Sequence, residues 1–330
     1  MTLLSVSGLS IGLKHHEDLL VRDLNLTLDA GEIVGLVGES GSGKTMASLA
    51  LLGLLPPAVE VRAGEAQLDG IPLLAGPGGG VHRHTGDITM VFQNARAALN
   101  PTLRIGFQIR RVLMAVRGMP RRDAEAEAVR LLGRVGIPGA ERVARAYPHQ
   151  LSGGMCQRAV IAMALAFRPR VLIADEPTTG LDVTVQAQIF DLLRDLAADT
   201  GSSVLFITHD LAAVAHLGDR VSVLFAGQVM ETAETVELFK RPRHPYSEFL
   251  LASLSPEADE PAEGGLAAEK EVVPEEKGVD FSLPGCRFAH RCPHVFDACK
   301  EYPPLFPAGE RHHYSCFLGR EIPVATTSRS

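Results

Sequence analysis

At 330 residues the chain is long enough for one large or two medium domains, and a hydrophobic content of 46% supports a sizeable core. Its net charge of −7 argues against a general nucleic-acid-binding surface. Five cysteines in so long a chain do not make a secreted disulfide scaffold. Residues 1–13 lack the basic segment of a signal peptide. The longest apolar run, 159–167, is closed by Arg158 and Arg168 and is too short to span a bilayer. The expected location is the cytosol, unless a partner holds the protein at a membrane.

In chain order, residues 3–11, 24–28 and 33–37 read as strands broken by polar turns. Leu26 and Leu28 alternate with Asn25 and Thr27, the pattern of a half-exposed strand in an antiparallel layer. The apolar run 33–37 leads into Gly38-Glu39-Ser40-Gly41-Ser42-Gly43-Lys44-Thr45, and an Ala/Leu-rich helix follows over 46–52. This is G-x-x-x-x-G-K-[ST] in its proper strand–loop–helix setting. Gly38, Gly41 and Gly43, with Ser40 between them, let the backbone turn its N–H groups inward toward phosphate. The helix N-terminus adds its positive dipole end. Lys44 is expected to reach the β- and γ-phosphates, and Thr45 to ligate Mg²⁺. The stretch reads as a nucleoside-triphosphate site.

Residues 61–68 and the hairpin-like Asp69-Gly70 continue the antiparallel layer, Pro77-Gly78-Gly79-Gly80 is a loop, and 87–93 returns to a strand. Over 94–150 Glu, Ala, Arg and Leu dominate. The spacings Ile109-Val112-Leu113-Val116 and Ala128-Leu131-Leu132-Val135 predict amphipathic helices, hence a helical insert. The αβ pattern resumes with a helix at 155–167, strand 171–174, helix 185–198 and strand 204–207. A closing hairpin follows at 221–225 and 228–231 over Ala226-Gly227.

Further stretches refine the chemistry. The strand 171–174 ends in Asp175 and Glu176, which places two carboxylates at the ligand-binding edge of an α/β sheet. Asp175 suits Mg²⁺ held through water, and Glu176 suits a general base that polarises the attacking water. Ser152-Gly153-Gly154 before a helix is a second anion loop, which suggests ATP held between two subunits. Gln93, at a strand end, could sense the γ-phosphate or Mg²⁺. His209, also at a strand end, could donate to the γ-phosphate.

The order of the 38–45 loop, Gln93, Leu151-Ser152-Gly153-Gly154-Met155-Cys156-Gln157-Arg158, the strand with acids 171–176, Gly180-Leu181-Asp182 and His209 resembles the ATP-binding subunit of an ABC transporter. The resemblance covers residues 1 to about 240 with every core motif present. Phe92-Gln93-Asn94, Leu99-Asn100-Pro101, Leu181-Asp182-Val183-Thr184-Val185-Gln186-Ala187-Gln188 and Arg243-His244-Pro245-Tyr246 resemble the oligopeptide/dipeptide importer ATPases, a subfamily that also includes nickel and metallophore importers. The implied fold is α/β: a RecA-like P-loop core with an antiparallel β layer and a helical subdomain, plus a small cysteine-containing tail. The implied cofactors are ATP and Mg²⁺. The resemblance also implies head-to-tail pairing with a second ABC ATPase subunit, homologous or identical. Ser152, Gly153 and Gly154 of one subunit would close on ATP held by the other, with Asp182 bridging. Two membrane permease subunits, an external solute-binding protein and a peripheral position on the cytoplasmic face of the membrane complete that picture. A soluble ABC-type ATPase is the alternative class. Its repair forms carry a long coiled coil and its translation forms two cassettes, and this chain has neither. One departure stands out: where the family places an aromatic residue to stack on adenine, this chain has Leu13, with His15 and His16 as candidates to replace it.

The expected division is a nucleotide-binding domain over 1–240 with its insert at about 94–150, a family-specific segment and acidic linker over 241–285, and a tail over 286–330. Residues 255–280 are rich in Glu, Pro, Ala and Gly, as a solvated linker is. The tail holds Cys286, Cys292, Cys299 and Cys316. In a reducing compartment clustered cysteines more often ligate metal than form disulfides, and a tail too short for its own core gains from such a staple. The expectation is a [4Fe–4S] cluster, favoured by Cys292-Pro293 and by spacings wider than zinc knuckles, with zinc as runner-up. The resemblance to cysteine-tailed dipeptide-importer ATPases implies the same. His290, His294, His312 and His313 are possible substitutes for one thiolate.

Overall fold

Strand β3 (Ile33–Val37) is buried along its whole length and lies between two parallel neighbours. Its continuous apolar run is what a strand covered on both faces requires. Ile33 and Val37 enter one hydrophobic core, and Val34 and Leu36 enter a second on the other side of the sheet. Between them Gly35 leaves room for a helix, since a Cβ there would lie 2.7 Å from a methyl of Val214.

A computed structural model describes residues 1–75, 86–254 and 280–318. The N-terminal layer contains β1 (Thr2–Leu13) and β2 (Leu19–Asp29). After β3 come α1 (Lys44–Leu52), β4 (Val59–Leu68), β5 (Ile71–Ala75) and β6 (Ile88–Val91). The helical insert holds α2 (Ala95–Ala98), α3 (Ile105–Arg117), α4 (Arg121–Arg134) and α5 (Ala140–Ala144). The core then continues with α6 (Gly153–Leu165), β7 (Val171–Asp175), α7 (Val183–Thr200), β8 (Ser203–Thr208), α8 (Leu211–Leu217), β9 (Arg220–Phe225) and β10 (Gln228–Glu234). Helices α9 (Thr235–Lys240) and α10 (Pro245–Ala252) and strands β11 (Phe306–Gly309) and β12 (His312–Tyr314) follow.

Two sheets form. The smaller is antiparallel in the order β2-β1-β4-β5, and the larger runs β11-β12-β10-β9-β3-β8-β7-β6. Leu26 and Leu28 are buried while Thr27 is exposed, as their alternation predicts. Asp69 and Gly70 both adopt positive φ, which closes the β4–β5 hairpin in the twist its strands need. In α4 the predicted face is fully buried: Ala128, Leu131 and Leu132, with Val135 just beyond it. The loop at 77–80 and most of the linker at 255–280 lie outside the described residues.

The C-terminal segment joins the larger sheet. Strand β12 pairs with β10 through Glu231↔Tyr314 and Thr232↔His313, and β11 pairs with β12. Cys286 and Phe288 belong to the first core. The fully buried Glu231 carboxylate accepts from the Arg243 and His244 backbone N–H groups at 2.8 and 2.9 Å and lies 2.7 Å from His312 Nε2. The Arg243–Tyr246 stretch is thereby a junction between sheet and tail.

Candidate nucleotide site

Strand β3 delivers the glycine loop at the carboxyl edge of the larger sheet. Gly38 admits no other residue, because a Cβ would lie 2.0 Å from the Leu224 carbonyl oxygen. Gly41 and Gly43 take φ of +80° and +97°, a region that favours glycine. Helix α1 begins at Lys44, so its unpaired first-turn N–H groups face the loop, and no acid in that turn opposes an anion. Lys44 is buried, and its Nζ donates to the carbonyl oxygens of Gly38 and Glu39 at 2.7 and 2.8 Å. Burial lowers its pKa, opposed by the nearby carboxylates of Glu176, Asp175 and Glu39.

Strand β7 ends at Asp175, whose carboxylate accepts from Thr45 Oγ1 at 2.9 Å. Burial raises the Asp175 pKa, and the Thr45 hydrogen bond opposes that rise. A hydroxyl beside a buried, desolvated carboxylate is a donor set that fits a hard divalent cation. Glu176 follows in the left-handed region at φ +44°. Its backbone N–H donates to Ile207 O on β8 at 2.8 Å, which anchors the turn. Its carboxylate accepts from Gln93 Nε2 at 2.7 Å and Thr179 Oγ1 at 2.9 Å, and His209 Nδ1 lies 3.2 Å away. Gln93 follows β6 and His209 follows β8, so three adjacent parallel strands converge on one carboxylate. A pocket of about 350 Å³ runs along loop residues 40–46 to Gln93 and Glu176, with Leu20 and Phe281 in its wall.

Ser152, Gly153, Gly154 and Asp182 lie elsewhere and do not line that pocket. Ser152 caps α6, accepting from Met155 N–H at 3.2 Å, and Asp182 caps α7, accepting from Val185 N–H at 3.0 Å. Gly154 packs directly on α7, since a Cβ there would lie 2.7 Å from a methyl of Val185. Leu13, His15 and His16 are also absent from the pocket wall. Sequence reading missed Phe281, Tyr246 and Arg291 as neighbours of the glycine loop. Tyr246 accepts at its hydroxyl from Glu39 N–H at 3.2 Å, and Arg291 pairs with the Glu39 carboxylate at 2.8 Å. Only the Arg-His-Pro-Tyr motif offered a signal, and it pointed to kinship rather than contact.

The iron–sulphur expectation, with zinc as its runner-up, is overturned. Cys286, Cys292, Cys299 and Cys316 do line one cavity, but that cavity holds only about 10 Å³ and shares its wall with Phe296, Phe317 and Leu318. Among the described residues no group of three or more His, Cys, Asp or Glu side chains is disposed to hold a metal ion. Burial pushes the Cys286 thiol up to about 12 and raises Cys292 and Cys316 as well. Packing and strand pairing hold the tail instead.

Residues 21–179 match the ABC transporter family, and 230–299 match the oligopeptide/dipeptide transporter C-terminal region. The chain is 45% identical to a putative peptide import ATP-binding protein of Brucella abortus (strain 2308), over 93% of each chain. It is 44% identical to the oligopeptide transport ATP-binding protein OppD of Salmonella typhimurium, over 90% of this chain and 87% of the relative. A dimeric post-hydrolysis ATP-binding cassette bound to ADP and Pi superposes with a TM-score of 0.60 at 28% identity, over 71% of this chain and 99% of that one.

Glycine loop, paired acids and parallel sheet together define a P-loop ATPase. The chain belongs to the ABC transporter ATPase family, and its C-terminal region is of the oligopeptide/dipeptide transporter type. Cassettes of this family bind ATP with Mg²⁺ and hydrolyse it. Among the described residues no helix is long and apolar enough to cross a membrane.

Proposed function

We propose that this chain is the ATP-hydrolysing subunit that powers import of oligopeptides or dipeptides through an ABC transporter. The observation that carries the hydrolytic part is Glu176, held by Gln93 and Thr179 and next in sequence to the Asp175–Thr45 pair. The names of the relatives, peptide import and oligopeptide transport, support the solute class.

In this reading the loop N–H groups and Lys44 bind the β- and γ-phosphates, and Glu176 accepts a proton from the water that attacks the γ-phosphate. Gln93 and His209 orient that carboxylate. Because His209 Nδ1 faces Glu176, donation from the other ring nitrogen to phosphate needs a doubly protonated ring or a rotation away from Glu176. Thr45 and Asp175 would hold Mg²⁺, which supplies neutralisation of phosphate charge when bound. The core 1–240 works with a second ATPase subunit, homologous or identical, that offers its own Ser152–Gly154 equivalent to this ATP. Two permease subunits dock on the helical insert near Gln93, an external binding protein delivers solute, and the subunit sits peripherally on the cytoplasmic face. The segment 241–285 and the tail 286–330 follow that core in sequence, and the described part of the tail joins its larger sheet through β12.

Reconstitution with the permeases in proteoliposomes tests this. Di- or oligopeptide with the binding protein should stimulate ATP hydrolysis several-fold. Stimulation by chelated nickel and not by peptide would assign the complex to metal import. Equal turnover with and without permeases would point to a soluble ATPase.

A further inference from the structure

The glycine loop contributes small and polar residues to the pocket and no aromatic ring. At the β1–β2 connection, where a stacking ring was expected, no side chain lines the pocket that runs along that loop. Leu13 packs against the second core, and His15 and His16 are exposed and off the pocket. Among the described residues one aromatic ring lines the pocket, and it comes from the far end of the chain: Phe281.

Phe281 is half-buried and packs in part against the first core. The segment that carries it is fixed from several sides. The guanidinium of Arg287, itself 2% exposed, lies 5.4 Å from the Phe281 ring centroid and donates from Nη2 to the Phe281 carbonyl at 2.8 Å. It also donates to Ala226 O, at the β9–β10 turn. Arg22 on β2 donates to the carbonyls of Leu283 and Pro284, and Gln228 Nε2 donates to Gly285 O at 3.0 Å. Asp280 accepts from the Ser282 N–H at 2.9 Å. A ring fixed on one side and lining a pocket on the other, with Leu20 as its apolar companion, suits a planar heterocycle.

We infer that Phe281 stacks on the base of the bound nucleotide, so that the C-terminal segment supplies the contact the β1–β2 connection lacks. The inference rests on the nucleotide reading of the pocket and deepens it. It makes base recognition depend on chain 280–291 being seated against β2 and the glycine loop.

The test uses the full chain, with ATP and inorganic tripolyphosphate as probes. Phe281→Ala should weaken ATP about tenfold or more, the scale of base–aromatic stacking, and leave tripolyphosphate affinity unchanged. Phe281→Tyr should retain ATP affinity. Because the chain has no tryptophan, Phe281→Trp creates a single reporter whose emission should be quenched by ATP and not by tripolyphosphate. Unchanged ATP affinity in Phe281→Ala would overturn the inference, as would an equal loss of both probes with a lowered melting temperature, the mark of a purely structural ring. A wild-type chain that binds neither probe would sink the nucleotide site itself.

Discussion

Nη1 of Arg291 reaches both carboxylate oxygens of Glu39, at 2.9 and 2.8 Å, and so ties the C-terminal segment to the phosphate loop. The guanidinium also lies 5.2 Å from the ring centroid of Phe249, 5.5 Å from Phe225 and 5.9 Å from Phe288. Glu39 N–H donates to the Tyr246 hydroxyl, so one loop residue is held through its backbone and its side chain by two later parts of the chain.

Arg291→Ala should therefore cost about 1–3 kcal/mol of stability, the usual loss when a mostly buried charge-assisted pair is broken. Glu39→Ala should cost less, and the double variant should show a coupling of at least about 0.5 kcal/mol. Denaturant titration of the four proteins measures this. Strict additivity would mean that the pair is incidental.

What could be read from sequence and what could not follow one physical division. The glycine loop, Asp175 and Glu176 were legible because each lies at the end of a short, wholly apolar strand, and a buried parallel strand announces itself locally. Gln93 and His209 were legible as strand ends, although their meeting on Glu176 needed the parallel order β6-β7-β8. Arg291 and Glu39 are 252 positions apart, and no local pattern encodes such a contact. The cysteines misled for a related reason. Spacing along the chain says nothing about how the thiols are disposed in space, and among the described residues no group of three or more such side chains is placed to hold a metal ion.

Glu176→Gln should leave ATP binding nearly intact and cut hydrolysis by roughly 10²–10⁴-fold, because the amide cannot take the proton from water. Lys44→Ala should instead weaken nucleotide binding, since its ammonium sits inside the loop. Binding and single-turnover measurements separate the two. Near-normal turnover in the glutamine variant would remove Glu176 from the mechanism.

Acid should weaken the junction between sheet and tail. Burial lowers the His244 pKa to about 3, and its Nδ1 accepts from the Tyr246 N–H at 3.0 Å. Below about pH 6.5 the unfolded chain protonates this residue while the folded chain resists down to about pH 3. Stability therefore falls across that window as pH drops, by about 1.4 kcal/mol per pH unit from this group. Urea unfolding at pH 7 and pH 5 should show the loss, and His244→Asn should show a smaller one. An equal loss in the variant would assign the pH dependence to other groups.

Assembly is the remaining prediction. Ser152 and Asp182 cap exposed helix starts, and neither lines the chain's own nucleotide pocket. If they act on the ATP of a neighbour, the isolated subunit lacks half of each composite site, so it should hydrolyse ATP slowly and be mainly monomeric without nucleotide. The Glu176→Gln chain with ATP should remain largely monomeric alone and form a closed dimer when a homologous ATPase subunit is added, because closure is then no longer undone by hydrolysis. Analytical ultracentrifugation of each mixture reads this directly. A tight dimer of the variant by itself would mean that two identical copies form the cassette pair. Full turnover by a monomer at all concentrations would remove the composite site altogether.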